Sequence, residues 1–320
     1  MRILVTGGSG FIGSNFVRYM LNEHPDDAVI NIDKLTYAGN PDNLKDIENN
    51  PNYSFVRGDI CDPDTVDTLM QEQRIDHIVH FAAETHVDRS ITDGSAFVRT
   101  NLLGTYTLLD SALRHGIDRF IHISTDEVYG STIEGSFKET DVLNPSSPYS
   151  SSKAGSDLLA RSYYVTYDLP VIITRCTNNF GPYQYPEKLI PLFITNLFED
   201  EKVPVYGTGQ NVRDWIYVLD HCHAIDLILQ HGEVGEIYNI GGGVERTNIE
   251  ITEKILEILG KDSSMIEHVK DRPGHDFRYS LDCSKLKDIG WVPKYNFEDA
   301  LGKTVGWYIE NEWWWKKLKH

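Results

Sequence analysis

The sequence has few of the features that mark secreted or disulfide-stabilised proteins. Its 320 residues include four cysteines, Cys61, Cys176, Cys222 and Cys283, which lie far apart and form no CxxC pair. Scattered thiols of this kind are typical of proteins kept reduced in the cytosol rather than of a disulfide framework. We therefore expect a cytoplasmic protein.

Long hydrophobic runs are also missing. The first residues, "MRILVTGGSG", enter a predicted strand without the hydrophobic region of a signal peptide. Elsewhere, each apolar stretch is too short or too charged to cross a bilayer. The sequence therefore predicts no membrane partner.

Basic residues are outnumbered by acidic ones. Lys and Arg total 30 against 48 Asp and Glu, which gives a formal net charge of -18. Because nucleic acids and anionic membranes select basic surfaces, this balance disfavours both as partners. A small anionic ligand stays compatible with it, since a few local cations can outweigh a distant field.

What the chain does have is a regular alternation of β-rich runs and helical patterns through its first half. This alternation predicts right-handed βαβ units around a parallel sheet, and a later run, "EIYNIGGG", predicts a return to that sheet. The clearest helices begin at Ser95 and Tyr149, with a later one from about Leu219. The predicted strands are Arg2 to Thr6, Ala28 to Asp33, Tyr53 to Asp59, Asp76 to Ala82, Arg119 to Ser124 and Leu169 to Arg175.

After Arg175 the rhythm changes, because Pro and Gly punctuate the chain as far as Gly209. We expect an α/β protein with a Rossmann-type, doubly wound parallel sheet and a smaller C-terminal substrate-binding lobe. The expected sheet domain covers residues 1–175, with 215–242 returning to it. Residues 176–214 and 243–320 would form the smaller lobe.

A glycine loop, "TGGSGFIGS", follows the first strand and opens a helix. Gly7, Gly10 and Gly13 are spaced to let a backbone turn tightly and approach a pyrophosphate at a helix N-terminus. Asp33 ends the next strand, where a carboxylate can bind the adenosine ribose and repel a 2′-phosphate. The pattern therefore predicts NAD rather than NADP. Asp59 could contact the adenine edge or simply cap a strand end.

A tyrosine and a lysine, Tyr149 and Lys153, lie four residues apart on one predicted helix face in "YSSSK". A nearby ammonium and the positive charge of nicotinamide would both lower the pKa of a tyrosine, which is ordinarily about 10. Such a tyrosine could take a hydroxyl proton while hydride leaves the same carbon. Thr125, just past a predicted strand, is a candidate partner for the substrate hydroxyl.

Two adjacent acids, Asp126 and Glu127 in "STDEVYG", follow that strand. Mutual repulsion and unequal burial can hold one of two neighbouring carboxyls protonated while the other is ionised, as acid–base catalysis requires. From the residues alone, a helix N-terminal cap explains the pair equally well.

Together these motifs resemble the extended short-chain dehydrogenase/reductase family. Four longer stretches, "AAETHVDRS", "STDEVYG", "RCTNNFGPYQYPEKLIPLF" and "DRPGHDFRYSLD", are similar to those of its dTDP-glucose 4,6-dehydratases. The resemblance covers nearly the whole chain. Thr85 stands where many members are expected to have serine, and the hydroxyl is retained.

This resemblance implies a redox-neutral lyase that dehydrates dTDP-glucose to a 4-keto-6-deoxy sugar with bound NAD. Tyr149 would remove the C4 hydroxyl proton, Glu127 the C5 proton, and Asp126 would protonate the departing C6 hydroxyl. The implied catalytic residues are Thr125, Asp126, Glu127, Tyr149 and Lys153. The resemblance also implies a homodimer in which the helices from Ser95 and Tyr149 form a four-helix bundle with their copies.

The binding residues follow from the same resemblance, together with the glycine loop and the basic residues of the second half. Those expected at NAD are Gly7, Gly10, Phe11, Ile12, Gly13, Asp33, Lys34, Leu35, Thr36, Asp59, Ile60, Phe81, Ala82, Ala83, Thr85, Thr100, Tyr149, Lys153 and Asn179. Those expected at the dianionic substrate are Thr85, Thr125, Asn178, Lys188, Leu189, Ile190, Pro191, Leu192, Phe193, Val205, Tyr206, Gly207, Arg213, Asn248, Arg272 and His275.

Two other functions fit parts of this pattern. A sugar-nucleotide 4-epimerase or decarboxylase would share the scaffold, but the Asp126–Glu127 pair argues against it. A catalytically inactive NAD sensor would have no need of Thr125, Tyr149 and Lys153. A metal site is disfavoured, because His221 and His223 are two apart on a predicted helix. The tail "EWWWKKLKH" has no functional assignment from sequence.

Overall fold

The computed structural model describes residues 1–271 and 275–319. The predicted substrate residue Arg272 lies outside these ranges. Twelve strands are described, and they are β1 Arg2–Thr6, β2 Ala28–Asp33, β3 Tyr53–Arg57, β4 His77–His80, β5 Arg119–Thr125, β6 Val171–Cys176, β7 Asn178–Phe180, β8 Val203–Tyr206, β9 Val212–Tyr217, β10 Ile237–Ile240, β11 Glu245–Thr247 and β12 Ile266–Val269.

Helices alternate with these strands through the first half and predominate at the end. The α-helices are α1 Phe11–Glu23, α2 Pro63–Gln73, α3 Val87–Thr92, α4 Ser95–Phe97, α5 Thr105–His115, α6 Pro148–Tyr167, α7 Leu189–Phe198, α8 Val218–His231, α9 Asn248–Leu259, α10 Ser284–Asp288, α11 Phe297–Glu310 and α12 Glu312–Trp315. A π-helical stretch, Val98–Gly104, joins α4 to α5, and 3₁₀ turns cover Pro41–Ile47, Asp126–Tyr129 and Ser263–Met265.

Seven strands form one parallel sheet in the order β3-β2-β1-β4-β5-β6-β10. This is the doubly wound arrangement, in which the strand order reverses beside β1 and leaves a crevice at the carboxyl ends of the strands. The predicted fold class is confirmed, including the return of the "EIYNIGGG" run as edge strand β10. The predicted strand bounds differ by a few residues, and β3 ends before Asp59.

Two hydrophobic clusters cover the two faces of the sheet. Ile3 and Val5 of β1 point into the cluster that holds α1 and α8, whereas Leu4 points into the cluster that holds α2, α5 and α6. Successive strand side chains alternate between faces, so helices on both sides bury the whole strand. This explains why these strands read as nearly continuous apolar runs.

A third hydrophobic cluster lies beside the smaller sheets. It joins α7, α9 and α11 with strands β7, β8 and β9, and it includes Phe193, Trp215, Ile251 and Trp315. One small sheet has the order β11-β9-β7 and the other pairs β12 with β8. Within the described ranges, each helix is too short or too polar to span a lipid bilayer.

Candidate active site

The glycine loop forms a tight cradle between β1 and α1. Gly7 has φ +69°, and a Cβ there would lie 2.7 Å from the Cα of Ala82. A Cβ on Gly13 would collide with the carbonyl oxygen of Gly7, so the start of α1 packs directly against the loop backbone. Side chains are excluded at both positions, which leaves the helix N-terminus open to an anion such as a pyrophosphate.

Asp33 ends β2 beside this loop and is held by two backbone donors. The amides of Ser9 and Leu35 donate to its two carboxylate oxygens at 2.9 and 2.8 Å. Burial raises the pKa of Asp33, and these hydrogen bonds act in the opposite direction. The carboxylate is therefore fixed at the cavity wall, where ribose hydroxyls could donate to it.

Asp59 lies in the turn after β3, at the outer end of the same cavity. Lys34 Nζ donates to one carboxylate oxygen at 2.8 Å, and the amide of Cys61 donates to the other at 2.9 Å. Burial opposes ionisation, but these donors prevail and lower the pKa of Asp59. The guanidinium of Arg99 lies 3.8 Å from a carboxylate oxygen of Asp59, so this end of the cavity combines one carboxylate with two cations.

Tyr149 and Lys153 lie on the first turns of α6. The helix starts with Pro148 and a reciprocal capping box between Ser147 and Ser150, which fixes its first turn. Lys153 Nζ donates to the carbonyl of Ile123 at 2.7 Å, and burial lowers the pKa of Lys153 to about 8. The pair thus sits directly over the end of β5.

The pKa of Tyr149 differs from the sequence-based expectation. Burial raises it well above its usual value, and the charges of Glu127 and Asp126 raise it further, whereas a hydrogen bond with Thr125 lowers it. The lowering of the Tyr149 pKa expected from the sequence is therefore not seen, because burial first and the protein's own acids second raise this pKa. The positive charge of an oxidised nicotinamide would act against this rise.

The acid pair directly follows β5 and is close enough to Tyr149 to raise the pKa of its hydroxyl. Thr125 caps the 3₁₀ turn Asp126–Tyr129 by accepting from the amide of Glu127 at 3.2 Å. Burial, followed by repulsion from Glu127, raises the pKa of Asp126 to about 8. Asp126 is 2% exposed, while Glu127 is only partly buried. The two carboxyls therefore differ in burial, as the acid–base hypothesis requires.

A single cavity of about 330 Å³ connects these groups. It extends from the glycine loop and Asp59 to the acid pair, and Tyr149 and Lys153 lie between them along its wall. Of the residues predicted to bind NAD, all but Leu35 line it. The glycine cradle, the fixed Asp33 carboxylate and the buried Lys153 fit a dinucleotide with its nicotinamide end at Tyr149.

The residues predicted to bind substrate are more dispersed. Thr85, Thr125, Asn178 and Lys188 line the cavity, and Lys188 Nζ donates to the carbonyl of Thr85 at 3.2 Å. The others lie farther along the second half. Leu189, Ile190, Pro191, Leu192 and Phe193 form the first half of α7, Val205 and Tyr206 end β8 with Gly207 directly after it, and Asn248 begins α9. Of these, Ile190, Phe193 and Val205 are core residues of the third cluster.

Arg213 lies on β9, close enough to the acid pair to lower the pKa of Asp126. Its guanidinium lies 4.4 Å from the ring centre of Tyr279 and donates to the carbonyls of Val212 and Asp276 at 2.7 and 3.0 Å. His275 Nδ1 lies 2.6 Å from a carboxylate oxygen of Asp271. Arg213 is thus a buried cation, 5% exposed, beside the acids.

Several cavity residues were not predicted from the sequence. Tyr37 and Glu187 are two of them, and Arg89 links them by stacking 4.1 Å from the Tyr37 ring centre and pairing with Glu187 at 3.1 Å. Glu84 and Glu187 adjoin predicted residues in the stretches that carry the family resemblance, which is the one sequence signal for them. The unpredicted lining residues also include Ile32, Ala38, Gly39, Gly58, Ile123, Ser124, Cys176, Thr177, Gln184 and Tyr185.

The histidines of "HCH" have another role in the structure. His221 is buried in α8, and its Nδ1 lies 2.8 Å from Oδ1 of Asn179, a cavity residue. Burial lowers the pKa of His221 to about 3, so the ring is neutral. Across the part of the chain that the structure describes, no group of three or more His, Cys, Asp or Glu side chains could hold a metal ion.

The glycine loop, the Tyr149–Lys153 pair and the parallel sheet together define an extended short-chain dehydrogenase/reductase. Residues 4–304 match the model of the GDP-mannose 4,6 dehydratase family. The chain belongs to this family. A dTDP-glucose 4,6-dehydratase of Streptomyces niveus is 55% identical over 100% of this chain and 96% of the relative.

Two further comparisons agree with this assignment. The low-salt glycan biosynthesis protein Agl12 of Haloferax volcanii is 56% identical over 98% of this chain and 100% of the relative. This chain superposes with a TM-score of 0.97 on the crystal structure of DesIV, a dTDP-glucose 4,6-dehydratase of Streptomyces venezuelae with NAD bound. The two sequences are 54% identical, over 99% of this chain and 100% of that one. The resemblance predicted from the sequence is confirmed.

Proposed function

We propose that this protein dehydrates dTDP-glucose to dTDP-4-keto-6-deoxyglucose with bound NAD. The observation that carries the proposal is the buried Asp126, whose raised pKa of about 8 keeps it protonated beside Glu127. An epimerase needs a proton acceptor at C4 alone, whereas elimination of water needs a separate acid and base. Relatives and a solved structure bearing the name of this activity support it.

The elimination divides between the two carboxyls. Asp126 would donate a proton to the departing C6 hydroxyl, because its buried carboxyl is protonated near neutral pH. Glu127, partly exposed to the cavity, would remove the proton from C5. Thr125 donates to Asp126 Oδ1 at 3.0 Å and would orient the carboxyl toward the leaving group.

The redox step belongs to Tyr149 and Lys153. Tyr149 would accept the C4 hydroxyl proton, which makes C4 a ketone and the neighbouring C5 proton acidic. Bound NAD would accept the hydride from C4 and return it to C6, and the enolate formed by that addition would regain a proton at C5 from Glu127, whose proton exchanges with solvent. Lys153, fixed by the carbonyl of Ile123, would hold the nicotinamide ribose next to Tyr149.

The substrate's two phosphate charges need a basic pocket within an acidic chain. Arg213 is a buried cation close enough to the acids to lower the pKa of Asp126, and Lys188 lines the cavity. A fixed guanidinium is suited to a pyrophosphate because it can donate two hydrogen bonds at once. We assign Arg213 to the pyrophosphate and the start of α7 to the nucleoside side.

Mass spectrometry in heavy water tests the function directly. The purified protein would be incubated with dTDP-, UDP-, CDP- or GDP-glucose in deuterated buffer. Loss of water with one deuterium gained, from dTDP-glucose, is the expected result. Unchanged mass for all four sugars, in protein with confirmed NAD, would indicate an epimerase or a sensor instead.

The chain divides into two lobes under this proposal. Residues 1–175 and 215–242 build the NAD-binding domain, supported by the sheet order and by the packing of α8 against α1. Residues 176–214 and 243–320 build the substrate lobe, supported by the third cluster. Leu286 and Trp291 pack in the cluster of α1 and α8, so the segment around them would support the sheet rather than the lobe.

A homodimer is the assembly we propose. Helices α5 and α6 pack on each other and expose apolar side chains on their outer surface, including Val98 and Tyr106 near α5 and Leu158 and Val165 on α6. Exposed apolar side chains gathered on one pair of helices favour an interaction surface, and a second copy would cover both helices at once.

The cytoplasm is the compartment we propose. Cys61, Cys176, Cys222 and Cys283 are all free thiols buried in the fold. Burial raises the pKa of Cys176 to about 12, which keeps this cavity thiol unreactive beside the nicotinamide site. Reduced, buried thiols suit a reducing compartment.

A further inference from the structure

The tryptophan-rich tail packs against the segment that follows Asp33. Helix α12 carries Trp313, Trp314 and Trp315, of which Trp314 and Trp315 are 1% and 0% exposed. The Trp314 ring lies edge-on to Tyr183 and Trp307, with ring centres 5.7 and 5.1 Å apart. Trp314 is therefore part of a buried aromatic cluster and also faces the sheet domain.

A continuous path of hydrogen bonds leads from this tail to the cofactor site. The indole N–H of Trp314 donates to Oδ1 of Asn43 at 2.7 Å, and Nδ2 of Asn43 donates to the carbonyl of Ser9 at 2.9 Å. Ser9 belongs to the glycine loop, and its own amide donates to Asp33 at 2.9 Å. Each of these four residues is at least nine-tenths buried.

The chemistry of the first link determines the geometry of the second. An indole N–H can only donate, so it selects the oxygen side of the Asn43 amide. The NH₂ group of Asn43 is then directed at Ser9. Without the indole, the Asn43 oxygen would be a buried acceptor with no donor from the tail, and the amide would lose its orienting partner.

Neighbouring contacts hold the same segment in place. Asn40 donates its amide to the Ser9 carbonyl at 3.0 Å, and Lys317 of the tail pairs with Asp42 at 2.8 Å. Thr36, Tyr37, Ala38 and Gly39, at the start of the segment, line the cavity. The tail therefore holds in place a stretch of chain whose first residues line the cofactor cavity.

We propose that Trp314 is a positioning residue for cofactor binding, acting through Asn43 on Ser9 and Asp33. This inference depends on the proposed function only for the identity of the cofactor, NAD. The tail lends rigidity to the glycine loop and to the carboxylate that receives the adenosine ribose. Trp315 provides the contrast, because its indole N–H donates to the Tyr308 carbonyl at 2.8 Å, within the tail's own helices.

Matched tryptophan variants test the proposal. Full-length wild type, Trp314→Phe and Trp315→Phe would be freed of nucleotide and titrated with NAD by calorimetry, after a melting scan establishes that each is folded. Both variants lose one buried indole hydrogen bond. We expect the dissociation constant for NAD to rise about five- to tenfold in Trp314→Phe, part of the cost of one unpaired buried acceptor. In Trp315→Phe it should stay within about twofold of wild type.

A second variant keeps the test decisive if Trp314→Phe folds poorly. Asn43→Ala retains every aromatic ring of the tail but breaks the path, and it should weaken NAD binding at least as much. The double variant should bind NAD like Asn43→Ala alone, because both changes interrupt one path. Turnover by Trp314→Phe should also recover as NAD is added.

Two results would overturn the inference. Equal weakening in Trp314→Phe and Trp315→Phe would mean that the tail acts only through general stability. Unchanged NAD affinity in Asn43→Ala would show that the hydrogen-bond path from Trp314 to Asp33 does not affect NAD binding. A wild type that binds NAD but leaves dTDP-glucose unchanged would overturn the proposed function and not this inference, which separates the two failures.

Discussion

The hydroxyl of Thr125 donates to Oδ1 of Asp126 at 3.0 Å, while Oδ2 of the same carboxyl is buried and has no hydrogen-bond partner in the part of the chain that the structure describes. A buried carboxylate with one unpaired oxygen costs much more free energy than a neutral carboxyl in the same place. Asp126 is therefore prepared to carry a proton at the point where the proposed reaction needs an acid.

Replacing Asp126 with Asn should block elimination but spare oxidation at C4. The amide has no acidic proton to donate, so we expect turnover to fall by about 10²–10⁴-fold, the usual contribution of a general acid. Reduced nicotinamide should accumulate, which absorbance at its characteristic wavelength would detect. Asp220→Asn is the matched control, because Asp220 is buried but accepts from the amide of Lys294 outside the cavity. Normal turnover in the Asp126 variant would contradict the assignment.

Replacing Glu127 with Gln should abolish exchange of the C5 proton with solvent. The glutamine side chain cannot accept that proton, yet Tyr149 remains available for oxidation at C4. Deuterium at C5 of the recovered sugar, measured by mass spectrometry in heavy water, reports this step. Intact exchange or elimination in this variant would mean that another group is the base.

The pH dependence of turnover should show a basic limb near the pKa of Asp126. Its pKa is raised to about 8, and the protonated form is the active one, so activity should decline as the pH rises through about 8. The Thr125 hydrogen bond lowers this pKa, and Thr125→Val should therefore move the limb to higher pH. Thr304→Val, which alters a buried threonine of α11, is the control and should leave it in place. A limb that stays fixed or moves to lower pH in Thr125→Val would assign it to another group.

Gly13→Ala should abolish NAD binding, because the added Cβ would collide with the Gly7 carbonyl at the start of α1. Gly302→Ala is the matched control. Its Cβ would meet no atom within 4 Å in α11. For Gly302→Ala we expect the free energy of unfolding to rise by about 0.4–1 kcal/mol, because the unfolded chain loses conformational freedom. Calorimetric titration and thermal melting would check the two variants, and retained NAD affinity in Gly13→Ala would refute the predicted collision.

Leu158→Glu should convert the proposed dimer into a monomer. Leu158 is 55% exposed on α6, and a carboxylate there would have to be desolvated in a helix-to-helix interface. Light scattering should then give the chain mass of 36.5 kDa rather than twice that value. Val292→Glu is the control, since Val292 is equally exposed at 61% but lies far along the chain from α5 and α6. A wild type of single-chain mass would rule out the dimer.

Sequence patterns were sufficient for the main sheet because most of its strands, apart from the edge strand β3, are buried on both faces. Runs such as "RILVT" and "VIITRC" are largely apolar, and the glycine loop between the first strand and α1 has a recognisable spacing. The short strands β7, β8, β11 and β12 were not predicted. A strand of three or four residues is too short to show a recognisable alternation of apolar and polar side chains, and the pairing of these strands depends on distant partners.

The candidate site divides in the same way. Local spacing predicted the glycine loop, Tyr149, Lys153 and the acid pair, and the structure places them along one cavity. It did not predict the wall formed by Tyr37 and Glu187, because these residues come from segments that meet only after the chain has folded. The raised pKa of Tyr149 could likewise not be predicted from local patterns, since it depends on burial and on nearby acids.

The sequence by itself determined the fold class, the family and the residues able to do chemistry, because these depend on local periodicity and on short motifs. Only the tertiary structure decided which of two adjacent carboxyls is buried. It also decided that the indole of Trp314 reaches Asn43, 271 positions earlier in the chain. Desolvation and long-range hydrogen bonds arise from the packing of distant segments, which no local pattern records.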